Sequence, residues 1–133
     1  MGNRWQHIHF DKPTESRYFC IEALNSHGKD DYSSIAELEL LGEDGKPISR
    51  QHWKVIYADS EELDAANNVA TNVFDLQEST FWYTNYSFSK PKHPHQLIID
   101  MGENKIITGF SYLPRAEFNG TGMIKDFKVY IKT

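Results

Sequence analysis

A single cysteine, Cys20, is all that the 133-residue chain contains, which excludes an intramolecular disulfide and a zinc site built from four thiolates. No apolar run approaches the ~20 residues that a membrane-spanning helix needs. Basic residues are in the minority: 14 Lys and Arg stand against 19 Asp and Glu, for a formal net charge of −5. That balance argues against non-specific binding to nucleic acid or an anionic membrane, so neither is expected as a partner, and a neutral or cationic ligand fits better. Catalytic signatures are missing too, with no Gly-x-Ser-x-Gly elbow, phosphate-binding loop or His-Glu-x-x-His. Neighbouring acids such as Asp30-Asp31 and Glu61-Glu62 point to opposite sides of an extended chain, so neither pair can clamp a glycosidic bond. His7-Ile8-His9 and His93-Pro94-His95 lack a third ligand at fixed spacing, which disfavours zinc. No apolar leader follows Met1-Gly2-Asn3-Arg4, and the chain stops on a strand-like run. The chain is then either cytoplasmic or a domain excised from a larger exported protein, and the excised domain, whether extracellular, periplasmic or on the cell surface, is the expectation.

What is present is one ordinary domain: 39% hydrophobic and 25% charged residues suit a single packed core. The periodicity is that of strands. Trp5 to Phe10, Tyr18 to Leu24, Ile35 to Leu41, Trp53 to Ala58, Gln96 to Met101, Ile106 to Leu113 and Met123 to Ile131 are short runs rich in β-branched and aromatic residues. Turn chemistry separates them, as in Gly42-Glu43-Asp44-Gly45-Lys46-Pro47 and Asn119-Gly120-Thr121-Gly122. Seven such strands predict an all-β sandwich or barrel. Only Asp59 to Ala70 has helical character, and Asn67-Asn68 would keep any helix short. Cys20 is expected as a small packed thiol and Trp82 as a buried anchor whose indole N–H needs a partner.

Several separated elements carry a resemblance: Phe74-Asp75, Thr80-x-Trp82, Ile99-Asp100-x-Gly102, Tyr112-Leu113-Pro114-Arg115, Ile124-Lys125-Asp126-Phe127 and Ile35-Ala36-Glu37. Together they resemble the discoidin family, also called coagulation factor 5/8 type C domains or family 32 carbohydrate-binding modules. The order is unusual. Residues 1–42 look like the closing half of such a module, 43–54 like a linker, and 55–133 like its opening half. Two explanations compete, a circularly permuted single domain, which one complement of strands favours, and a cut across a tandem array.

The resemblance implies a discoidin-like jelly-roll β-sandwich with ligand loops at one end. It also implies a structural Ca²⁺, held by Glu37, Asp75, Thr80 and Gln77. Leu76-Gln77 departs from the family's Gly-Asp and removes one carboxylate, and Asp75 with Thr80 can equally be capping a turn. The ligand site that it implies comprises Tyr32, Tyr83, Tyr86, Arg115 and Asn119, with Tyr83 standing where the family commonly has histidine. Such a set suits a sugar, because aromatic faces pack on pyranose C–H patches while guanidinium and amide meet hydroxyls. Each residue has a plainer reading, the tyrosines as cross-strand packing and Arg115 as a surface partner of Glu117 or Asp126. The implied function is a non-catalytic carbohydrate-binding module of a secreted glycoside hydrolase, recognising galactose- or N-acetylhexosamine-type glycans. A structural or protein-interaction module is the alternative. The implied partners are the glycan and the parent enzyme's other domains. Membrane insertion is disfavoured by loops rich in tyrosine rather than aliphatic residues.

Overall fold

A computed structural model describes residues 5–115 and 122–133. Two very long strands form its spine: β1 (Gln6–Ala23) and β6 (His95–Leu113) run antiparallel along their whole lengths. β3 (Glu37–Leu41) and β4 (Lys54–Ala58) pair with successive stretches of the far edge of β6, and β7 (Phe127–Lys132) pairs with the second half of β1. A second, two-stranded sheet joins β2 (Ser34–Ile35) to β5 (Trp82–Tyr83). The result is the expected all-β, sandwich-like arrangement.

The sequence reading split each spine strand in two, because Asp11–Arg17 and Gly102–Lys105 carry little apolar pattern. In the structure the ladder carries on through them. Thr14, Glu15 and Ser16 pair with Ile107, Ile106 and Lys105. Register shifts on either side absorb the extra residues, and Pro13, which has no N–H to donate, falls within one of them. Gly109 is required by close approach, since a Cβ there would meet the Ile8 carbonyl oxygen at 2.2 Å. The predicted strand Ile35 to Leu41 is likewise divided. Ser34 and Ile35 belong to the small sheet, Glu37 onward to the large one, and the Ala36 N–H between them bonds Leu113 O at 2.8 Å.

Alternation puts Phe19, Ile21, Leu38, Leu40, Leu97, Ile99 and Phe110 inside, each at most 2% exposed. Phe110 is the hub, with ring centroids 5.3 Å from Phe19 and 5.7 Å from Phe127 in edge-to-face geometry. Trp82 is fully buried, as expected, and its indole N–H donates to Ser60 O at 2.8 Å. Cys20 is a correction. It lies half-buried on the outer face of β1, in cross-strand register with Ile98 and Tyr130, and that cover lifts its thiol to about 11. No α-helix forms at Asp59 to Ala70. The Glu62 carboxylate takes the Asp64 and Ala65 N–H groups, Glu62 bridges to Asn68, and only a short 3-10 turn follows at Ala70–Phe74. No helix among the described residues is long and apolar enough to cross a membrane.

Candidate functional site

Three loops at one end of the sandwich bring aromatic rings together. Tyr83, at the end of β5, is 6% exposed and forms the floor. Tyr86 lies 4.8 Å from it and Tyr32 5.9 Å, with Tyr32 and Tyr86 6.3 Å apart, so the three centroids close a triangle. Tyr32 and Tyr86 are both half-buried. From the end of β6 the Arg115 guanidinium lies 4.7 Å from the Tyr83 centroid and 5.6 Å from that of Phe81, and it donates to the Tyr83 hydroxyl at 3.3 Å. Burial raises the Tyr83 phenol despite the opposing guanidinium, so the hydroxyl keeps its proton.

Polar groups that the sequence does not mark hold this cup in place. Buried Glu62 accepts from the N–H groups of Asp64, Ala65, Tyr86 and Ser87 and from the Ser87 hydroxyl, at 2.7 to 3.0 Å, and so stitches the 62–65 loop to the loop carrying Tyr86. Behind Tyr32, buried His95 joins Asp59 (2.8 Å) to the Asp31 carbonyl (2.7 Å), and His93 bonds the Ser33 hydroxyl at 2.9 Å. The Asp30 carboxylate accepts from the Tyr32 N–H at 3.0 Å. Glu62 takes the Asp64 and Ala65 amides of its own turn and the Tyr86 and Ser87 amides of another loop, and no spacing along the chain signals the second pair.

A second polar cluster lies where β3 begins. Glu37 is 2% exposed, and its Oε1 accepts from Arg50 at 2.7 Å. Its Oε2 is buried without a hydrogen-bond partner among the described residues, and the Asp75 carboxyl faces it. Burial first, then Asp75, pushes the Glu37 carboxyl up to about 8 against the pull of Arg50. The Thr80 hydroxyl donates to Asp75 and also lies 3.1 Å from the Gln77 carbonyl, while the Gln77 N–H donates to Asp75 at 2.9 Å. Leu76 takes the strained φ of +66° in this turn.

A profile of the F5/8 type C domain matches residues 55–133. The chain belongs to that family. A sialidase from Micromonospora viridifaciens is 34% identical over 84 residues, which covers 62% of this chain and 13% of the length of that protein.

In this chain the structure gathers Tyr32, Tyr83, Tyr86 and Arg115 at one rim, Tyr32 from outside the matched residues 55–133, whereas Asn119 lies outside the described residues. Glu37, Asp75, Thr80 and the backbone of Gln77 also come together, with the Gln77 side chain exposed. A buried carboxylate oxygen without a donor, facing a second carboxylate, is the environment that a cation relieves, and a donor set made only of oxygen atoms fits Ca²⁺. Among the described residues no three His, Cys, Asp or Glu side chains gather. A calcium ion here would therefore lean on hydroxyl and carbonyl oxygens beyond the two carboxylates.

Proposed function

We propose that this F5/8 type C domain is a non-catalytic carbohydrate-binding module of a larger secreted glycoside hydrolase. It acts outside the cytoplasm, in the extracellular space, the periplasm or at the cell surface. Its ligand is a galactose- or N-acetylhexosamine-type glycan, held in the cup of Tyr32, Tyr83, Tyr86 and Arg115. The observation that carries this reading is the Arg115 guanidinium laid on Tyr83 beside two half-buried tyrosines. Aromatic faces take the apolar side of a pyranose, and the planar cation takes neighbouring hydroxyl oxygens. The similarity to a sialidase supports a glycan-directed context. Recognition is the whole mechanism: a shallow cup binds a single sugar weakly, and repeated contacts along a polymer supply avidity. Calcium, held by Glu37, Asp75, Thr80 and the Gln77 carbonyl, serves structure rather than chemistry. The reversed order of segments is read as circular permutation, supported by the pairing of β1 and β3 with β6 in one sheet.

A glycan-array screen with and without calcium, repeated on Arg115→Ala, tests this. Selective binding to galactose- or N-acetylhexosamine-terminated glycans that is lost in the variant is the expected result. Silence across the array would favour the protein-interaction reading, for which the outer sheet face is the relevant observation, with Ile56, Tyr57 and Tyr130 each about half exposed.

A further inference from the structure

Phe88 is 85% exposed at the tip of the loop that follows Tyr86. A bare phenyl ring in water is unfavourable, yet this one is deliberately held. On one side Glu62 fixes the N–H groups of Tyr86 and Ser87, both at 2.9 Å. On the other, the carbonyl of the largely buried Asn85 side chain accepts from the N–H groups of Phe88 (3.0 Å) and Ser89 (2.8 Å) and from the Ser89 hydroxyl (3.2 Å). Two buried polar side chains thus set the backbone that presents Phe88.

Phe88 borders an open depression of about 600 Å³ together with Ser87, Asp64 and Ala65. Its chemistry is selective. The Ser87 hydroxyl already donates to Glu62 at 2.7 Å, which leaves its oxygen as an acceptor, and the Asp64 carboxylate is an exposed acceptor as well. An aromatic face flanked by acceptors suits a ring with an apolar C–H side and hydroxyl donors around it. The Asp64 charge works against an acidic ring. Two chain steps place the Phe88 Cα within ~7 Å of the Cα of Tyr86, whose ring is part of the cup.

We propose that this depression is a second subsite, which takes the neutral hexose or N-acetylhexosamine next to the sugar held in the tyrosine cup. The module then prefers oligosaccharides to monosaccharides. This inference rests on the carbohydrate-binding reading above.

Titration calorimetry on the full chain separates the two. Galactose and N-acetylgalactosamine are compared with di- and trisaccharides that end in them, for the parent protein, Phe88→Ala and Phe88→Trp. The parent protein is expected to bind the oligosaccharides roughly three- to tenfold more tightly than the single sugars, the range an aromatic contact supplies. F88A is expected to bind single sugars as the parent does and to lose the oligosaccharide advantage, while F88W keeps it. Thermal melting should be unchanged in F88A, because the ring is exposed. Equal affinity of the parent for long and short ligands, or an advantage that survives in F88A, overturns the subsite while leaving the cup intact. A parent protein that binds no sugar of any length overturns both readings.

Discussion

Arg115 meets Tyr83 by face and by edge at once: its guanidinium sits 4.7 Å from the ring centroid while Nη2 donates to the hydroxyl at 3.3 Å. A planar cation held in both ways is restrained against the ring. Stacking of this kind contributes about 0.5 to 2 kcal/mol, more as water is excluded.

Arg115→Lys keeps the charge and loses the plane. Affinity for the glycan that the parent protein binds is expected to fall about tenfold or more, with the melting temperature nearly unchanged. Calorimetry beside a thermal melt checks this, and a lysine variant that binds as well as arginine would reduce the role to charge alone.

Glu62→Gln should loosen the cup without emptying the core. Burial alone would raise the Glu62 carboxyl, but donors from Ala65, Ser87 and Tyr86 outweigh it and bring it down to about 2. A depressed carboxyl contributes stability that is present above its unfolded value near 4.3 and lost as pH falls towards 2. The melting temperature of the parent protein should therefore drop between pH 5 and pH 2 more steeply than that of E62Q. At pH 7 the variant is expected to melt lower and to bind sugar more weakly.

Glu37 behaves in the opposite sense. With its folded value up at about 8, the protonated form suits the fold, so its contribution is full below the unfolded value near 4.3 and is lost as pH rises through 8. In chelator, thermal stability should decline from pH 5 to pH 9. Millimolar calcium should reverse that decline by favouring the ionised carboxylate, and Glu37→Gln should remove both the pH slope and the calcium response. A parent melting curve indifferent to calcium at pH 8 would count against the cation.

Trp82→Ala is expected to cost about 3–5 kcal/mol in urea unfolding, because the side chain is fully buried. Trp82→Phe should cost less and report on the lost bond to Ser60 O.

Strands whose inward faces alternate, such as Tyr18–Ala23 and Gln96–Met101, were readable because period-2 burial writes itself into residue type. Thr14–Ser16 was not. Its pairing with Lys105–Ile107 is imposed by the ladders on either side rather than by its own polar residues. Asp59–Ala70 misled for a different reason: Glu62 takes the nearby Asp64 and Ala65 N–H groups in a turn rather than a helix, and it also binds the Tyr86 and Ser87 N–H groups of another loop. The tyrosines, Arg115 and the acidic turn were singled out through motifs shared with a family. Glu62 and Asn85 belong to no motif, because what they bind is backbone, which any sequence supplies.

The convergence of five donors on Glu62 also bears on the entropy of recognition. Immobilising a rotamer-rich side chain on binding costs roughly 0.5–1.5 kcal/mol, and a loose loop would add its backbone to that. Here the backbone around Tyr86 is already pinned when the chain folds. A ligand arriving at Tyr86 meets a loop with little backbone disorder left to lose, and that loop should add little to the conformational entropy penalty of binding.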